Sequence, residues 1–260
     1  MFSREERCIY ARNPLAEVIC QLRFPEILTI QANDPVAFQE AIRKDFPQFS
    51  RRQENAAHRL TGGPGNFSVA NQPPVTNYQF VSADGKWRVN LTSKFISLSC
   101  AKYTCWEEFA RVLDNPLAAF IRIYQPAYFE RIGLRYLNFI SRNALGFQGT
   151  PYSQLIAPCY LGPLAEEDVA EASVTRSSVD AEFAVRGGCR AKIHAGPGMV
   201  KIQGQADKEV KFVYDLDLFM PGQIQVNLSA GALQTLHGQA YPLFRGAITD
   251  TLHDAMEPAE

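Results

Sequence analysis

Three short runs between residues 78 and 102 alternate apolar and polar side chains, and they constrain the fold more than any other feature of this sequence. The runs cover residues 78–82, 86–92 and 95–102. A period of two is typical of strands that bury one face, and the Ala-Asp-Gly sequence at 83–85 predicts a turn between the first two runs. The runs therefore predict an antiparallel meander.

Helices and a first strand are predicted on both sides of this meander. A strand is expected at 16–24, ending at Pro25, and a short amphipathic helix at 35–46, with Asp34 as its cap. After the meander, Thr104 and Glu107 have the spacing of a capping box. Apolar residues at helical spacing follow, which predicts a helix that ends near Tyr124.

The second half of the chain repeats this plan. Residues 130–136 (ERIGLRY) are similar to residues 17–24 (EVICQLRF) after a one-residue gap, and further strands are predicted at about 172–184, 188–203 and 209–220. A long C-terminal helix is predicted from near Ser229, with a kink or split at Pro242. We therefore predict an α+β fold with antiparallel sheets, helices packed on one face, and a tandem duplication of a β-α-βββ-α unit over 1–126 and 127–260. One compact unit is expected, and a single mixed sheet without duplication is the alternative.

Residues 50–76 carry glycines, prolines and polar residues without sustained periodicity, which predicts a long loop. Within this loop Arg51, Arg52 and Arg59 have the charge to contact phosphates. The whole chain, however, holds 26 Lys and Arg against 27 Asp and Glu, for a net charge of −1. Nucleic-acid binding through this loop is therefore a minor hypothesis beside a solvated loop.

The sequence favours a protein that stays in the compartment where it is synthesised. No run approaches the ~18–20 apolar residues of a membrane-spanning helix, and the first residues lack the apolar core of a secretory signal. We therefore expect a cytoplasmic protein that does not bind membranes. The six cysteines show no CxxC pair and the glycine-rich stretches fit no phosphate-binding motif, so we predict free thiols and neither metal nor cofactor.

Three landmarks resemble one known family. They are NPLAE leading into LRFP at 13–25, RIGLRYLN at 131–138, and LH at 236–237 followed by FRGAITDTL at 244–252. In this order they are similar to the bacterial family described only as sporadically distributed proteins. The resemblance implies no known activity or catalytic residues. The patchy occurrence of that family implies an accessory role in a horizontally moved system such as a defence or toxin-related locus.

Two arginines occupy matching positions in the two predicted repeats. Arg23 and Arg135 each precede an aromatic residue in a strand. If both faced a cleft between the repeats, they would hold a carboxylate or phosphate by bidentate hydrogen bonds, with Tyr136 and Trp106 also lining the cleft. The alternative is a structural salt bridge to Glu17 or Glu130.

Other residues that carry chemistry have plainer interpretations. Asp215 and Asp217 resemble a metal or acid–base pair, but strand alternation predicts that both lie on a solvated sheet face. His237, among apolar neighbours, is interpreted as a hydrogen-bonded packing residue rather than a base.

No compact catalytic motif is present, which leaves an enzyme uncertain and less favoured. We predict a non-catalytic binding or interaction protein that self-associates or joins a protein partner through sheet edges or its C-terminal helix. The first alternative is a small-ligand-binding protein or enzyme that uses the cleft with Arg23, Arg135, Tyr136 and Trp106. Nucleic-acid binding is the second alternative.

Overall fold

The computed structural model describes residues 1–54, 59–61, 68–70, 74–202 and 205–259. The first half of the chain, to residue 126, forms eight strands and three helices within this part. In chain order they are β1 (Ile9–Tyr10), β2 (Leu15–Arg23), α1 (Leu28–Ala32), α2 (Val36–Ile42), β3 (Gln48–Glu54), β4 (Arg59–Thr61), β5 (Ser68–Ala70), β6 (Val75–Val81), β7 (Trp87–Leu91), β8 (Phe95–Cys100) and α3 (Trp106–Tyr124).

The second half begins with a strand at the centre of the sheet, and it ends with two helices and one short strand. Several one-turn 3₁₀ helices lie between residues 152 and 173, before the next strand. The elements are β9 (Phe129–Ile140), α4 (Arg142–Leu145), β10 (Val179–Ala184), β11 (Arg190–Ile202), β12 (Gln205–Ile224), α5 (Ser229–Arg245), α6 (Asp250–Ala255) and β13 (Pro258–Ala259).

Nine of these strands form one antiparallel sheet in the order β10-β11-β12-β9-β2-β8-β7-β6-β3, and β1-β13 and β4-β5 form two small ribbons. Strands β2 and β9 pair at the centre, where Gln21 lies opposite Gly133, so both halves of the chain share the sheet. The two halves also have the same order outward from this centre, β2-β8-β7-β6 and β9-β12-β11-β10. The predicted α+β class with antiparallel strands is confirmed. The tandem duplication stays a prediction, with which the shared order is compatible.

The helices α2, α3 and α5 pack on one face of the sheet, as predicted. Aromatic contacts join each of them to the strands: Phe38 to Phe80, Phe120 to Phe24, and Phe244 to Tyr214, with ring centroids 5.4, 4.7 and 6.0 Å apart. This inner face supplies the core, because every second residue from Val18 in β2 to Phe24, directly after the strand, is buried. Burial of these apolar side chains is the main contribution to the stability of the fold.

The outer face of the sheet carries charged side chains that pair across strands. The guanidinium of Arg131 bonds to Asp217 at 2.7 Å and lies 4.5 Å from the centre of the Phe219 ring. It also lies over Gly133, where an added Cβ would come within 2.3 Å of it. Position 133 therefore needs glycine for this arginine to lie flat on the sheet.

Two parts of the chain differ from the sequence prediction. The loop expected at 50–76 is shorter at both ends, because β3 continues to Glu54 and β6 begins at Val75, and β4 and β5 form a ribbon between them. The C-terminal helix is split into two, but the break does not fall at Pro242 as expected. The first helix continues through Pro242 to Arg245, and α6 begins after Thr249, whose hydroxyl accepts a hydrogen bond from the Leu252 N–H. No helix in the described ranges is both long and apolar enough to cross a membrane.

Candidate functional site

A small pocket lies between the inner face of the sheet and α5, and residues 7–15 form its outer wall. Its cavity volume is about 90 Å³. Strand β9 contributes two residues that alternate onto the same face, and α5 contributes residues one turn apart. We call it the tyrosine–histidine pocket; its lining includes Arg7, Cys8, Tyr10, Leu15, Tyr103, Tyr136, Asn138, Leu216, His237, Ala240, Tyr241 and Phe244.

Tyr136 and His237 form the polar centre of this pocket. The Tyr136 hydroxyl and Nδ1 of His237 are 3.0 Å apart, within hydrogen-bond distance. On its other side the imidazole stacks on Trp106, with centroids 4.6 Å apart and planes 9° apart. The Trp106 Nε1–H donates to the side-chain oxygen of Gln234 at 2.9 Å. The imidazole is therefore fixed in both position and tilt.

Burial keeps the titratable groups of the pocket uncharged at neutral pH. Burial, with a smaller contribution from the positive charge of Arg7 and against the opposing effect of Glu107, lowers the pKa of His237 to about 4. It also raises the pKa values of Tyr103 and Tyr136, and raises that of Tyr241 to about 12. The imidazole is therefore neutral, and the three phenols keep their protons.

Among the described residues that line the pocket, Arg7 alone carries a full charge, and that charge is paired. Its guanidinium donates to both carboxylate oxygens of Glu107, at 2.9 and 3.3 Å. This hydrogen bond is the largest cause that holds the pKa of Glu107 near 2. The pair also ties the wall segment 7–15 to the start of α3. The charge of the lining is therefore balanced.

Two further contacts hold the wall segment against the C-terminal helices. The Cys8 sulfur lies 3.4 Å from the Tyr241 hydroxyl, and the Tyr10 hydroxyl lies 2.9 Å from Nδ1 of His253. Strand β1 adds a backbone pairing with β13. The wall is thus anchored along its length by contacts with α3, α5, α6 and β13.

Asn138 is the most buried polar side chain of the lining, with 3% of its surface exposed. Its amide nitrogen donates to the backbone carbonyls of Tyr214 and Tyr136, at 3.0 and 3.4 Å. Because both partners are acceptors, they fix which end of the amide is nitrogen. The amide oxygen accepts no hydrogen bond from any residue within the described ranges.

The structure separates the four residues predicted to line one cleft. Tyr136 lies in the pocket and Trp106 directly behind His237, on the inner face. Arg23 and Arg135 lie on the outer face, since Arg135 is next to Tyr136 in a strand and neighbours alternate sides. No cleft therefore joins these arginines to the aromatic pair.

The two arginines also differ from each other in their partners. Arg135 makes a bidentate ion pair with Asp215 of β12, its Nε 2.7 Å from one carboxylate oxygen, and not with Glu17 or Glu130 as expected. Arg23 is exposed opposite Arg131 and forms no ion pair within the described part of the chain. Asp215 and Asp217 do lie on the outer face, but each is half-buried and paired with an arginine.

Two of the three arginines proposed for nucleic acid, Arg51 and Arg52, lie on opposite sides of β3. Arg51 bonds to Asp34 at 3.2 Å and pairs in register with the inward-facing Tyr78, whereas its neighbour Arg52 is on the opposite side of β3. The side chain of Arg59, and residues 55–58, 62–67 and 71–73, lie outside the described residues. Nucleic-acid binding through this segment stays a prediction.

A larger hollow lies beside the β11-β12 hairpin, with a volume of about 790 Å³. Its main cation, Arg142, already bonds to Glu171 at 2.6 Å and to the Thr150 carbonyl at 2.9 Å. The guanidinium also lies 4.0 Å from the centre of the Tyr152 ring. These contacts satisfy Arg142, and Arg176, the other arginine of the lining, is exposed, whereas the polar centre of the tyrosine–histidine pocket is buried. No group of three or more His, Cys, Asp or Glu side chains that would hold a metal ion occurs in the described ranges.

Sequence reasoning found Tyr136, Trp106 and the packing role of His237, but it missed Arg7, Tyr103 and Asn138. Asn138 could have been predicted from the sequence, because it is two residues after Tyr136 in a strand and so lies on the same face. Arg7 and Tyr103 had none, since they are about 130 residues or more from His237 in the chain.

Comparison with known families and proteins adds no further guide to this site. No family model matches the sequence, and a search of curated proteins finds no significant match. The resemblance to the sporadically distributed proteins therefore stays a prediction.

Proposed function

We propose that this protein is a binding protein that takes a small molecule into the tyrosine–histidine pocket. The observation that carries the proposal is the convergence of Tyr136, Asn138 and His237 on one small pocket, with an amide oxygen that has no hydrogen-bond partner within the described residues. Polar groups that converge in an otherwise apolar hollow are typical of ligand sites. The shifted pKa values of His237 and its tyrosine neighbours are a second mark of such sites.

The volume limits the size of the ligand. An apolar cavity of about 150 Å³ holds one benzene molecule, so about 90 Å³ suits about four non-hydrogen atoms. The best small ligands gain about 1.5 kcal/mol per non-hydrogen atom, which caps the affinity of such a molecule at a Kd of tens of micromolar. The ligand is therefore a weakly held small molecule, or the small end group of a larger one.

The test is a screen of small molecules by thermal shift against the whole chain and two variants. Ala240→Leu fills the pocket from α5, where Ala240 is 7% exposed and lines the cavity. Gly238→Ala is the matched control on the same helix, because an added Cβ there meets no atom within 4 Å.

Compounds that stabilise the wild type should stabilise Gly238→Ala equally and lose their effect on Ala240→Leu. A wild type that responds to no compound, or a response that Ala240→Leu keeps, would overturn the proposal.

A second candidate function is protein interaction, which one observation favours. Strand β10 ends the sheet and pairs only with β11 in the described part of the chain, so one row of its backbone groups is open to another strand. In this hypothesis the protein self-associates or serves as an accessory subunit in the cytoplasm. Light scattering after size-exclusion chromatography tests it. A dimer that Ala181→Pro converts to monomer would support edge pairing, and a wild-type monomer at all concentrations would contradict self-association.

A further inference from the structure

The tyrosine–histidine pocket has a chemical preference that its polar groups define. We propose that it selects an uncharged small molecule carrying an N–H or O–H donor, and that the donor bonds to the side-chain oxygen of Asn138. This inference rests on the proposed function and specifies the class of ligand for the same site.

The need for a donor follows from the surroundings of Asn138. The amide is 97% enclosed, with both its nitrogen bonds directed to the carbonyls of Tyr136 and Tyr214. The side-chain oxygen of Asn138 is not sealed from solvent, so a ligand in the pocket can donate to it in place of a water molecule. The hydroxyls of Tyr103 and Tyr241 also line the pocket, and a ligand acceptor would compete for them with their present partners, Tyr136 and Cys8.

The need for a neutral ligand follows from the balance of charge. Arg7 is held by both oxygens of Glu107, and the imidazole of His237 is neutral at pH 7. An ion that entered this pocket would lose its hydration without gaining an unpaired counter-charge. Charged molecules of the same shape are therefore excluded.

Three probes of nearly equal shape separate these requirements. Acetamide is neutral and carries a donor, acetone is neutral without a donor, and acetate is charged. Each is titrated into the ¹⁵N-labelled full chain at pH 7, with the indole N–H signals as the readout. The sequence has two tryptophans, of which Trp106 stacks on His237 and Trp87 does not line the pocket. A Trp87→Phe variant assigns the two signals.

Acetamide should shift the Trp106 signal saturably and bind about tenfold more tightly than acetone, the worth of one buried hydrogen bond. Acetate should give no saturable shift over the same range. In Asn138→Ala the preference for acetamide over acetone should fall to within about twofold. If that variant does not fold, the order of the three probes on the wild type decides alone.

The contrary results are distinct from one another. Equal binding of acetone and acetamide would overturn the donor requirement and leave the proposed function standing. Tighter binding of acetate would overturn neutrality, again with the binding function intact. No saturable shift of Trp106 with any probe would overturn this inference, and the separate screen with Ala240→Leu would then show whether the binding function fails with it.

Discussion

The neutral imidazole of His237 makes the stability of the protein depend on pH in a way that one substitution should remove. His237 exposes 8% of its surface, and its pKa falls from 6.5 to about 4 on folding. Between these values the unfolded chain binds a proton that the folded chain does not. The stability that the neutral imidazole contributes is therefore fully present above pH 6.5, and it is lost as the pH falls towards 4.

The size of this effect follows from the two pKa values. Each pH unit between the two pKa values lowers the free energy of unfolding by about 1.4 kcal/mol. When proton binding to the folded and the unfolded chain is counted together, the loss between pH 8 and pH 5 is about 2 kcal/mol. The choice of pH 5 avoids most of the titration of the carboxylates, whose unfolded pKa values lie near 4 to 4.5. The other three histidines of the chain are common to the wild type and to a variant at position 237, so the difference between the two proteins isolates the imidazole of His237.

The assay is urea denaturation of the wild type and of His237→Asn at pH 8 and pH 5. The asparagine side-chain oxygen lies close to the position of Nδ1, so the bond to the Tyr136 hydroxyl is retained while the titrating group is removed. The wild type should lose about 2 kcal/mol more than the variant between the two pH values. The same loss in both proteins would refute the reasoning, because it would show that His237 is not held neutral by its surroundings.

Three further predictions concern stability, each read from urea denaturation midpoints at pH 7.5. Trp106→Ala should cost about 3 to 5 kcal/mol because the ring is 7% exposed and supports His237, and a cost below about 1 kcal/mol would contradict a core position. Gly196→Ala should lower the free energy of unfolding by about 1 to 3 kcal/mol, since its Cβ would lie 2.4 Å from the Ser177 carbonyl oxygen. Gly238→Ala in α5 should raise the free energy of unfolding by about 0.5 to 1 kcal/mol, because alanine favours a helix more than glycine does. Equal effects of the two substitutions would refute this reasoning. Asp217→Ala should cost about 1 kcal/mol through the half-buried pair with Arg131, and no change would show that the pair is too weakly held to matter.

Short-range patterns of apolar residues predicted the helices and strands that bury one face along their own length. The apolar stripe after residue 105 predicted a helix to about Tyr124, and the structure has it at Trp106–Tyr124. The alternating runs likewise predicted β6, β7 and β8 within a few residues. In these segments one buried face sets the period, so a short window of sequence is sufficient.

Long-range pairings were beyond such windows. Strand β3 was interpreted as part of a loop because Gln48–Glu54 is mostly polar, and its strand conformation depends on pairing with β6. The pairing of Arg135 with Asp215, 80 residues away, depends on the register of β9 and β12. Sequence alone gives no access to that register, and so the expected partner was wrong.

The pocket shows the same division. Tyr136 and Asn138 share a strand face by simple alternation, which sequence makes available. That His237 and Arg7 meet them depends on how α5 and the segment 7–15 cross the sheet. The error that joined Arg135 to Tyr136 in one site was avoidable, because neighbours in a strand point to opposite faces.

The most direct test of the central claim is a high-resolution crystal structure of the protein soaked in acetamide. We predict one acetamide molecule in the tyrosine–histidine pocket, its nitrogen within hydrogen-bond distance of the Asn138 side-chain oxygen. A pocket that holds only water at saturating acetamide, or acetamide with its nitrogen turned away from Asn138, would contradict the account.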